Sequence, residues 1–64
     1  MALSEETKAG LTKLFTGFGE NMGKGLWTSL TYLPKTKTVY LQTAPGGKTD
    51  SVEVIESEPQ SGGH

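Results

Sequence analysis

The string in this 64-residue chain most suggestive of chemistry is Ala44-Pro45-Gly46-Gly47-Lys48-Thr49. Glycines beside a Lys-Thr pair are what a phosphate cradle uses: backbone amides wrap the oxygens and the ammonium neutralises charge. Such a cradle also needs glycine at position 42 and a long helix after the Thr. The chain has Gln42, and Asp50-Ser51-Val52 leads into a strand, so the string reads as a turn. A second run, Gly17-Phe18-Gly19-Glu20-Asn21-Met22-Gly23, approaches a dinucleotide-binding fingerprint. Its third glycine is displaced and no strand precedes it. The acids form no acid–base pair, and His64 is the single histidine. With no Cys there are no disulfides and no thiolate ligands. No catalytic, cofactor-binding or metal-binding residue is assigned, and a non-enzymatic role is expected.

The element that dominates the pattern is an apolar stripe: Leu11, Leu14, Phe15, Phe18, Met22, Leu26, Leu30 and Leu33. Steps of three and four predict an amphipathic helix. Ser4 can cap its start, with Glu5 and Glu6 at the positive end of the dipole. Thr7 stands where a capping box needs Glu or Gln. Gly10, Gly17, Gly19, Gly23 and Gly25 lie in or beside the stripe. Each interior glycine lowers helix stability by roughly 0.5–1 kcal/mol relative to Ala. The reading is a helix over about 4–33, either continuous or interrupted near residues 19–25, with Pro34 ending it. Strands are expected over about 36–43 and 51–56, joined as a β-hairpin through Ala44–Gly47. Residues 57–64 are read as a flexible tail, leaving 1–56 as one small α+β domain or docking subunit.

Composition points outward. Hydrophobic residues make up 33% of the chain, too few for a small domain to stabilise itself easily without staples. Residues 1–38 carry a net +2 and residues 39–64 a net −3. The absence of Arg argues against specific nucleic-acid recognition. Lys13, Glu20 and Lys24 interrupt the best apolar window, so no membrane span is expected. No signal peptide is read, and a cytoplasmic location is the default, with a peripheral membrane position as an alternative.

The run Lys24-Gly25-Leu26-Trp27-Thr28-Ser29-Leu30-Thr31-Tyr32-Leu33-Pro34-Lys35, followed by Thr38-Val39-Tyr40-Leu41, resembles the N-terminal lead-in of the ferredoxin-like subunit of respiratory complex I. The resemblance implies a surface helix followed by an extended segment entering a complex. The family's clusters need Cys, which this chain lacks, so no electron-transfer role is implied.

Together these features predict a small accessory or structural subunit. Its contact residues would be Leu11, Leu14, Phe15, Phe18, Met22, Leu26, Trp27 and Leu30, and its partner a larger protein complex. A self-associating particle component is the alternative, with a homo-oligomer as the partner. The helical stripe would be about 35 Å long, more than a hairpin can cover.

Overall fold

Ser4 opens the first helix as its sequence suggests. Its Oγ accepts the Thr7 N–H at 3.1 Å, and α1 then runs Glu5–Gly23. The computed structural model describes residues 2–57. Apart from Ser57, the tail assigned to 57–64 lies outside the described residues, as does His64.

The helix stops at Gly23, not Leu33. Lys24 is its C-cap, and Gly25 follows in the left-handed region at φ 74. The Gly25 N–H donates to Met22 O at 2.9 Å and the Leu26 N–H to Asn21 O at 3.1 Å. This pair of bonds is a Schellman closure, in which glycine takes the left-handed residue without a Cβ penalty. The segment after it is strand β1, Thr28–Leu33. Leu26, Leu30 and Leu33 match helical spacing, but two threonines and a tyrosine in this stretch favour the pleated backbone. The surface-helix posture that the resemblance implies is therefore not adopted by residues 24–35.

Pro34 opens a turn between strands. Lys37 closes it at φ 51, donating to Pro34 O at 3.3 Å and accepting the Val54 N–H at 2.7 Å. Strands β2, Thr38–Thr43, and β3, Asp50–Glu53, complete the fold. The expected hairpin is thus present, its strands at Thr38–Thr43 and Asp50–Glu53 instead of 36–43 and 51–56, with β1 added on its other side. The sheet is antiparallel in the order β1-β2-β3. Register pairs Leu30 with Leu41 and Val39 with Val52. The architecture is α+β, one helix lying on a three-stranded meander.

The helix touches all three strands, along the line Thr7, Gly10, Leu14, Gly17 and Asn21. These positions step by three and four, as one helix face must, yet only Leu14 is a large apolar residue. The glycines are where backbone meets sheet. A Cβ on Gly10 would lie 2.9 and 3.0 Å from the two Val52 methyls, and one on Gly17 would lie 2.9 Å from Leu41 Cδ2. Neither glycine breaks the helix.

Gly10→Ala and Gly19→Ala separate the two roles of helical glycine. Gly19 faces open space, with nothing within 4 Å of its missing Cβ. Alanine there should raise stability by roughly 0.5–1 kcal/mol. At Gly10 the methyls of stiff, β-branched Val52 would have to shift, so alanine should lower stability by about 1–3 kcal/mol. Urea unfolding at one fixed chain concentration reads both. Equal shifts of the same sign would refute the close-approach role of Gly10.

Two buried polar side chains bolt the helix ends to the sheet. Thr7 Oγ1 accepts the Ile55 N–H at 2.9 Å and lies 3.3 and 3.2 Å from the Glu53 and Ile55 carbonyls. At the other end, Asn21 is fully buried. Its Nδ2 donates to Thr28 Oγ1 and Lys48 O, each at 3.1 Å, and its Oδ1 accepts the Lys48 N–H at 2.8 Å. Among the described residues no buried side-chain polar atom lacks a partner, which is what a small core must achieve to contain such groups.

Candidate interaction surface

The phosphate-like string is a turn built around Asn21. Ala44-Pro45-Gly46-Gly47 forms a type II turn, with Gly46 at φ 97 and the Gly47 N–H donating to Ala44 O at 3.1 Å. A Cβ on Gly47 would collide with Thr43 and lie 2.8 Å from Asn21 Oδ1. The Gly47 and Lys48 amides are thus already bonded, and the Lys48 ammonium pairs with Glu20 at 3.3 Å. The Gly47 amide closes the turn and the Lys48 amide holds the β2–β3 loop on the helix.

Beside this turn runs an open groove of about 450 Å³, lined by Lys13, Thr16, Glu20, Lys48 and Asp50 among others. Its charges are mixed and its walls solvated. Among the described residues no group of three or more His, Asp or Glu side chains is placed to hold a metal ion. The groove lies on the flank of α1 that meets β3, because Gly10 sits over Val52 and Gly17 over Leu41 and Lys48.

The opposite flank is apolar. At 100° per residue, Phe15 and Met22 lie about 80–100° round the helix from Leu14, on the side away from the two glycines. That side overhangs β1. Phe15 is 57% exposed and Met22 60%, whereas Leu11 and Phe18 are half-buried between them and the sheet. On β1, Thr28, Leu30 and Tyr32 share the face toward the helix, because Thr28 reaches Asn21 and strand side chains alternate. Leu30 is half-buried and Tyr32 exposed.

The eight residues expected to form a contact surface therefore divide. Leu14, fully buried, belongs to the internal core with Leu41, because it faces the sheet directly. Leu11, Phe15, Phe18, Met22 and Leu30 come together on the β1 flank. Leu26 is half-buried in the link to β1. Trp27 is 63% exposed; it precedes Thr28 and, by strand alternation, belongs to the sheet face turned away from the helix. Sequence reasoning missed Tyr32, because a helical reading of residues 26–33 hid the alternation that joins it to Leu30.

Comparison with protein-family models, curated proteins and solved structures returned no match. Among the described residues no helix is long and apolar enough to cross a membrane.

Proposed function

We propose that this chain is a non-catalytic accessory subunit that docks on protein through the apolar flank of α1 and the adjoining strand β1. The observation that carries this reading is the imbalance of apolar side chains. Leu14 and Leu41 are the buried hydrophobics among the described residues, while Phe15 and Met22 stand more than half exposed on one flank. Large aromatic and Met side chains left in water lose burial energy that a partner would restore, at about 25 cal/mol per Å². A lipid surface is a weaker fit. Interfacial helices border their apolar face with several Lys; on α1 Lys8 alone borders this flank, beside Phe15 by helical spacing and paired with Glu5 at 3.2 Å, whereas Lys13 and Lys48 line the opposite groove.

Phe15→Asp tests the reading. Its side chain is mostly exposed, so circular dichroism should show a folded chain. Association with any protein partner, a second copy included, should weaken about 30-fold, as at an interface hot spot. Cross-linking of tagged wild-type and variant chains in extracts of the native host, with sedimentation of each purified chain, provides the comparison. Unchanged association would overturn the reading. Retention on lipid vesicles with no protein partner would replace it by a membrane-surface role.

A further inference from the structure

Resting on that docking reading, we propose that the occupant of the flank is a second copy of this chain. The two β1 strands would pair antiparallel, making one six-stranded sheet with two helices on the same face.

The backbone argument starts from hydrogen-bond parity. The Ala44 N–H donates to Trp27 O, so odd-numbered residues of β1 turn their backbone groups toward β2. In an antiparallel ladder the alternate residues face the other way. Thr28, Leu30 and Tyr32 therefore present N–H and C=O groups along the free edge, and no hydrogen bond among the described residues uses them.

The two sheet edges differ. β3 has four residues, including Asp50 and Glu53, and the chain beyond it is occupied: Leu3 bridges Glu56, and the Ser4 N–H donates to Ile55 O. Short length and charge are ordinary protections against edge pairing. β1 has six residues, and from Leu26 to Leu33 there is neither a charge nor a proline. Two copies of such a strand meet without opposing like charges within the ladder.

A two-fold axis at Leu30 satisfies the parity. Leu30 then faces Leu30 of the second copy, and Thr28 faces Tyr32. The same axis is compatible with the helices. Leu30 pairs with Leu41, Leu41 lies under Gly17, and Thr28 reaches Asn21, so the axis falls near the level of Phe18. Phe15 and Met22 flank that level by about one turn each. Running antiparallel, the helices set each Phe15 toward the other copy's Met22, a self-complementary match that an isologous interface needs. With each helix centred on its own three strands, the axes lie roughly 14 Å apart, three strand spacings. That gap takes large side chains.

Area sets the strength. Phe15, Met22 and Tyr32, 49–60% exposed, offer roughly 300 Å² per copy if a large side chain presents about 200 Å². Strand edges and the half-buried Leu11, Phe18 and Leu30 must supply a similar area to reach the roughly 1,200 Å² total at which standard interfaces begin. A micromolar dimer is expected.

Sedimentation equilibrium over micromolar to millimolar chain, with amide exchange by NMR, tests the pairing. The expected result is twice the 6.8 kDa chain mass, with Leu30 and Tyr32 amides protected. Tyr32→Lys and Phe15→Asp should each leave a folded monomer whose Leu30 amide exchanges at least tenfold faster. A wild-type monomer throughout the range overturns the second-copy proposal. In that case the docking reading is judged separately, by the effect of Phe15→Asp on other partners. A dimer with unprotected Leu30 and Tyr32 amides also overturns the proposal, since it would use another face. If Tyr32→Lys fails to fold, the exchange pattern of the wild-type chain decides.

Discussion

Asn21→Ala is expected to lower unfolding free energy by about 2–3 kcal/mol. The buried amide makes three hydrogen bonds, two of them to the backbone of Lys48 and one to Thr28. Each is worth about 1 kcal/mol net, and removal strands the Lys48 groups until water reaches them. For a domain of this size, total stability is roughly 3–10 kcal/mol, so a large part of it is lost. The β2–β3 loop would also come away from the helix. Urea unfolding followed by circular dichroism gives the free energy, and exchange of the Lys48 amide reports the loop. Asn21→Asp should be nearly as harmful, because a carboxylate accepts from the Lys48 N–H but cannot donate to its carbonyl or to Thr28. A loss below about 0.5 kcal/mol in both variants would show that the loop is held elsewhere.

Leu14→Ala is expected to cost about 3 kcal/mol, within the range for large-to-small changes at fully buried leucines. Its neighbour Phe15 supplies the contrast. Phe15→Ala should change unfolding of the isolated chain by less than about 1 kcal/mol, because 57% of that residue is already in water. Both measurements belong at a dilution where association does not contribute. Equal losses at the two positions would mean that Phe15 is part of the core and that the exposed flank is not a free surface.

That contrast also shows how far the sequence could be read. Leu14 and Phe15 are equivalent members of one stripe in the sequence, since both fit steps of three and four. A wide stripe says that a helix has an apolar side; it does not say which line along that side meets the neighbouring layer. Here the line is Thr7, Gly10, Leu14, Gly17 and Asn21, shifted toward small and polar residues. Hydrophobic periodicity cannot register glycines that act by lacking a Cβ, or polar groups whose partners lie 27 to 48 residues away in sequence. The same limit applies to Leu30. Its spacing from Leu26 and Leu33 fits a helix, but Gly25 ends the helix and the residue becomes part of a strand.

Local chemistry was enough for several elements. Ser4 specifies the start of α1, Ala44–Gly47 specify a turn, and the β-branched and aromatic run over 36–43 specifies a strand, which the structure places at Thr38–Thr43. Each follows from the steric and hydrogen-bonding preferences of a few adjacent residues, so each was legible in the sequence, as was the α+β class. Tertiary structure decided the rest. It turned the phosphate-like loop into a clasp on Asn21, drew Leu14 inward, and left Phe15 and Met22 beside the edge of β1 that faces away from β2. Those outcomes depend on which surfaces meet across the fold, and contact between distant residues is a property of the packed chain.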